Sequence, residues 1–247
     1  MKAAAVSIIL IVLLLPLSGC KPKIPEVPPL PDFKSIEKNL SDNLDPVPRP
    51  ETPPALLQER IFNVGEQLSQ CDANSKSGNC DKIQASNYYL LLGDLHFDSG
   101  LFEKAVVFYQ NTVLSRYEAF EKEKGIFDHY MKVNADEKAK RGDLPNLQAG
   151  AAFLACHFNL KAFKDYAEIV RAERRMGESY KKNDKNEDAA TAYARAQLGL
   201  EKTMKHRMAF EKNKRILIGL ARQLGKDYNS YDAHIQSWES EIAVDRI

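Results

Sequence analysis

Past residue 54 the chain contains a single proline, Pro145. Proline removes a backbone donor and breaks helix interiors, so its scarcity there leaves long helices uninterrupted. The chain also lacks alternating apolar–polar stretches, which excludes half-buried β-strands. It has almost no excess of charge: 35 Lys and Arg face 34 Asp and Glu, for a formal +1. No basic field is therefore present to attract nucleic acid. Motifs that carry chemistry are missing too. His96, His129, His157, His206 and His234 are scattered, without the HExxH or paired-ligand spacing of a metal site. GxSxG, a Walker loop and a dinucleotide fingerprint are all absent. The expectation is a protein without catalytic residues, metal or cofactor.

Long hydrophobic runs are scarce as well. The one that exists, Ala5–Leu17, is shorter than the roughly 20 residues that cross a bilayer. It follows Met1-Lys2 and ends in Leu17-Ser18-Gly19-Cys20, the layout of a secretory signal. The last four residues resemble the lipobox of bacterial lipoproteins. That resemblance implies that residues 1–19 are removed and that Cys20 carries a diacylglycerol, the one covalent lipid expected here. An ordinary signal peptide with a chance cysteine is the alternative. Each buried methylene contributes about 0.8 kcal/mol, so several acyl chains on one residue make a stable anchor. Lys21, rather than aspartate, follows the cysteine. By the same resemblance this implies the outer membrane and its periplasmic face. Loss of Lys2 with the signal takes the formal charge from +1 to zero.

Ten of the 12 prolines fall between residues 22 and 54. Pro22, Pro25, Pro28, Pro29 and Pro31 favour polyproline II, and Pro46 to Pro54 break the chain again. Between these clusters Phe33, Ile36, Leu40 and Leu44 share one side of a short helix. Residues 20–54 are thus expected to be a lipidated, proline-rich tether. They act as a spacer alone, or Phe33–Leu44 docks on a partner or on the body.

Residues 55–247 are expected to form one all-α body. Leu57, Ile61, Val64 and Leu68 recur at helical spacing, with Thr52 and Pro53 as cap and first-turn proline. Cys71 and Cys80 flank a polar, glycine-containing loop able to bring them together as a disulfide in an oxidising compartment. Two free thiols are the alternative. Cys156, within AAFLACHF, fits a small buried apolar residue.

Tyr89, Leu92, Gly93, His96, Gly100, Ala105 and Tyr109 fall at the spacing of a tetratricopeptide repeat. Met176, Gly177, Tyr180, Ala189, Tyr193 and Ala196 keep the same register, with Asp184 at the turn-glycine position. The resemblance implies tetratricopeptide-like helical hairpins with extended second helices. Two departures stand out. Glu173 replaces the first aromatic of the second unit, and the units lie 84 residues apart where tandem copies repeat every 34. AFEKEK from Ala119 and AFEKNK from Ala209 suggest two related halves.

Stacked helical hairpins usually bind extended peptides or helices on their concave side. By resemblance the groove positions are Asn87, Asp94, Phe97 and Asp98 in the first unit, and Arg171, Arg174, Glu178 and Lys181 in the second. The second set is mainly basic and suits an acidic peptide or a carboxylate terminus. A second basic stretch, Lys202–Arg215, fits a solubilising face. The expected function is a membrane-anchored adaptor that binds another envelope protein and supports a multi-protein complex. A pilot lipoprotein for a secretin or pilus, and a cell-wall hydrolase or its activator, are the alternatives. The long second helices leave both a monomer and an oligomer compatible with the sequence. Cys20→Ser is expected to abolish labelling by radioactive palmitate and to release the protein from the membrane pellet; labelling that persists would sink the lipobox assignment.

Overall fold

The computed structural model describes residues 52–74 and 80–224, with residues 234, 236, 237 and 240 near the end of the chain. Cys20, residues 1–19 and the tether up to residue 51 lie outside the described residues. Among the described residues there are five helices and no strand: α1 (Pro54–Asn74), α2 (Lys82–Asp98), α3 (Phe102–Arg141), α4 (Pro145–Lys182) and α5 (Asn186–Leu224). The fold is all-α. Extensive packing joins each helix to its neighbours in the chain, α1 to α2, α2 to α3, α3 to α4 and α4 to α5. Such a linear stack has no single centre, and each layer buries the face of the one before.

Local signals fix the helix ends. Asp81 caps α2: its carboxylate accepts from the Gln84 amide at 2.8 Å, and the Gln84 side chain accepts from the Asp81 amide at 3.4 Å. Pro145 opens α4 at a position where no intrahelical donor is needed. α1 starts at Pro54, one residue later than the sequence suggests. The Thr52 hydroxyl accepts from Arg60 Nη1 at 2.8 Å, so it serves that side chain. Cys71 and Cys80 form a disulfide with Cα atoms 5.1 Å apart, tying the end of α1 to the start of α2.

The hairpins α2–α3 and α4–α5 share their construction. Gly100 (φ 73°) and Asp184 (φ 58°) both take left-handed backbone in the turns, where glycine is at ease and aspartate is tolerated. Gly93 lies under the Tyr109 ring and Gly177 under the Tyr193 ring. The tyrosine ring fills the seat above each glycine. Both rings are sealed, at 0% and 2% exposure, and Ala105 and Ala189 beside them are fully buried.

Below the turns α4 and α5 run antiparallel and meet through heptads. On α4 the series is Ala149, Cys156, Phe163, Val170 and Gly177; on α5 it is Ala189, Ala196, Thr203, Phe210 and Leu217, and all ten residues are buried. A seven-residue repeat drifts by about 20° per heptad on a straight helix, and a left-handed wrap keeps it facing its partner. Val170 touches Gly199, where an added Cβ would lie 2.7 Å from Cγ2. Burial also pushes the Cys156 thiol up to about 12, so this cysteine acts as a small apolar filler. The two AFEK segments are not equivalent. Phe210 belongs to the α5 seam, whereas Phe120 sits with Val106 and Val113 between α3 and α4.

Gly93→Ala and Gly177→Ala are each expected to cost about 1–3 kcal/mol, because the new methyl overlaps a sealed ring. Gly125→Ala and Gly219→Ala, with open space around both positions, are expected to stabilise by up to about 1 kcal/mol. Urea unfolding of the four variants checks this, and equal signs across them would refute the packing argument.

Candidate binding surface

The side on which α2 and α4 approach each other is assembled by paired charges. Arg116 of α3 reaches between the two helices. Its Nη1 lies 3.1 Å from Asp165 Oδ1 of α4, and its Nη2 donates to Asn87 Oδ1 of α2 at 2.6 Å. Two turns higher on α2, Asp94 accepts from Tyr109 Oη at 2.9 Å and from Arg175 Nη1 of α4 at 2.6 Å. On α4's other flank, Arg195 of α5 lies 2.9 Å from both oxygens of Glu173. Burial pushes the Asp165 and Glu173 carboxyls up, against the pull of Arg116 and Arg195 respectively. Charges so deeply placed are tolerated because each has a partner.

Beside these pairs a band of charge runs along α4. His157, Lys161, Lys164, Glu168, Arg171, Arg174, Glu178 and Lys181 follow at steps of three and four residues, which keeps them on one broad side of a helix. Part of the positive charge is answered locally. Lys161 Nζ lies 2.8 Å from Glu123 Oε1 of α3, Arg174 Nε lies 3.4 Å from Glu178, and Arg171 pairs with Glu168. A cleft of about 380 Å³ opens where this band passes the start of α2, lined by Ile83, Arg116, His157, Leu160, Lys161, Lys164 and Asp165. Within it Arg116 is almost wholly buried, and its Nε has no hydrogen-bond partner.

The residues singled out from sequence fall into two sets. Arg171, Arg174, Glu178 and Lys181 lie together on the upper part of the α4 band. Asn87, Asp94, Phe97 and Asp98 lie on α2, but their surroundings differ. Asp94 is buried in its ion pair, and Asn87 is held by Arg116. Phe97 packs on the core with its ring against Phe102, 5.1 Å between centroids. Sequence reasoning missed Arg116, Lys161, Lys164, Asp165 and Arg175. The three- and four-residue steps from His157 to Arg171 were the one available signal. Arg116 and Asp165 are 49 positions apart and carry none.

Among the described residues no group of three or more His, Cys, Asp or Glu is placed to hold a metal ion. No described helix is long and apolar enough to cross a membrane. Comparison with known proteins finds no matching family model and no significant match among curated proteins or solved structures.

Arg116→Ala strips Asp165 of its counter-charge, and a loss of about 3–5 kcal/mol is expected at pH 7. The sign of its pH dependence follows from Asp165. A carboxyl raised in the fold above its ordinary 3.8 binds its proton before the unfolded chain does, so lowering the pH towards that range favours the folded variant. The gap between variant and wild type should shrink between pH 7 and pH 5 in thermal unfolding. A gap that stays constant or widens would show that Asp165 does not carry the effect.

Proposed function

We propose that the chain is a lipid-anchored adaptor of the bacterial envelope, attached through Cys20 to the periplasmic face of the outer membrane, that binds an acidic segment of a protein partner along α4. The observation that carries this reading is the charged band beside the cleft. Lys161, Lys164, Arg171, Arg174 and Lys181 outnumber Glu168 and Glu178 there, on a chain whose formal charge is only +1. Cationic side chains gathered on one face of a near-neutral protein steer a complementary anionic surface and fix its register.

Two further observations support the adaptor class. The paired glycine–tyrosine seats and the matching left-handed turns at Gly100 and Asp184 fit two degenerate tetratricopeptide-like units separated by an extended hairpin. Such units present extended concave surfaces to partners. The lipobox-like LSGC supplies an anchor, and confinement to a membrane raises the effective concentration towards partners held there. The reading assigns the chain no catalytic step.

Affinity purification of the full chain from gently solubilised envelopes tests the proposal. Wild-type protein is expected to bring down a defined partner set. A Lys161→Glu/Lys164→Glu variant, and separately Arg171→Glu/Arg174→Glu, should recover those partners at least roughly tenfold less well, with circular dichroism melting close to wild type. Wild-type protein emerging alone, or partners retained by both variants, would defeat the assignment.

A further inference from the structure

Helix α2 has 17 residues and its antiparallel partner α3 has 40. α2 begins at Lys82, whose ammonium meets Glu118 at 2.7 Å, so the remainder of α3 extends beyond it. The face that α3 turns towards α2 nevertheless continues. Ala105, Thr112 and Ala119 occupy successive heptad positions and are buried at 0%, 1% and 7% exposure. The next two positions are Ile126 and Val133, with Tyr130 between them, and these stand 43%, 46% and 51% exposed. An apolar seam thus runs past the end of the helix that covers it.

We infer that the chain's own segment Phe33–Leu44 covers this face, as a short helix antiparallel to α3 in line with α2. Its length and direction match. Leu57, early in α1, packs with Leu92 and Leu95, so the chain enters the body level with the top of α3. Ile126 and Val133 lie about 33 and 44 Å down that helix at 1.5 Å per residue. Residues 45–52, with Pro46, Pro48 and Pro50, span about 25 Å when extended at 3.1 Å each. A helix over Phe33–Leu44 adds about 18 Å. Together these set Leu44 near the level where α2 begins and Phe33 near Val133. Phe33, Ile36, Leu40 and Leu44 share one side of that helix, as a seam requires. Glu37 and Asp42 balance Lys34 and Lys38 in the segment, so the apolar groups of segment and seam carry the contact. The inference does not depend on the adaptor reading, because both groups belong to this chain.

Two measurements on the full chain test it. A photoreactive benzophenone side chain in place of Ile126 should crosslink within one polypeptide to peptides from residues 33–44. Crosslinks joining two chains would hand the face to a second copy and overturn the inference, as would crosslinks elsewhere or none. In the second measurement, Ile36→Asp/Leu40→Asp alters the segment without touching the described helices. Amide exchange across residues 122–134 should then quicken roughly tenfold, with the thermal midpoint of the body little changed. Exchange that stays at the wild-type rate would equally overturn it.

Discussion

The heptad contact between α4 and α5 is the constraint on which the other layers rest. Only small residues at most of its positions allow two helices of nearly 40 residues to lie so close over their whole length. Ala149, Cys156, Ala189 and Ala196 contribute little apolar area each, and Val170, Phe210 and Leu217 fill the gaps between them. With one side of α4 committed to α5, a second side is left for α3, and the aromatic cluster of Phe120, Phe127, Phe158, Tyr166 and His206 closes that junction. His206 bridges the layers: its ring stacks on Tyr166 at 5.6 Å and its Nδ1 meets Asn159 Oδ1 at 2.9 Å. Burial there, with Lys205 and Lys202 nearby, lowers its pKa.

The buried ion pairs do a different job from the apolar seam. Hydrophobic burial scarcely distinguishes one helical register from another when the residues are alanine and valine. A slide of α4 by one turn would move Asp165 about 5.4 Å from Arg116 and strand both charges in a poorly hydrated space. The same slide would part Asp94 from Arg175. Pairs like these add little net stability, since desolvation offsets most of the attraction. What they penalise is the wrong alignment of α2 and α3 on α4. The geometry of the charged band and its cleft follows from that alignment.

Much of the hairpin architecture could be read from the sequence, for reasons visible in particular residues. Gly100 and Asp184 mark turns because few residues accept left-handed backbone. Gly93 and Gly177 mark close approach because each is followed 16 residues later by a tyrosine that needs the room. The loop between Cys71 and Cys80 advertised its disulfide by polarity and length. The seam of α4 and α5 was hidden, because its positions hold Ala, Cys, Gly and Thr, which a hydropathy pattern does not separate from surface residues. Asp94 was read as a groove position from motif spacing alone. Its burial depends on Arg175, 81 residues away, and no local signal reports such a partner.

The disulfide takes on a mechanical meaning once the order of the stack is considered. Among the described helices α1 is the outermost layer and rests chiefly on α2 through Leu57, Ile61, Val64 and Leu68. A pull applied at Pro54 loads α1 at the end farthest from Cys71. Such a load peels the helix from its neighbour one turn at a time instead of shearing the whole interface at once. The bond between Cys71 and Cys80 stops the peel at the root of α2. About 17 residues can then convert from roughly 26 Å of helix to nearly 60 Å of extended chain while α2 to α5 carry the strain undisturbed. α1 is in this sense a sacrificial length of slack, and the cystine is the knot at its end.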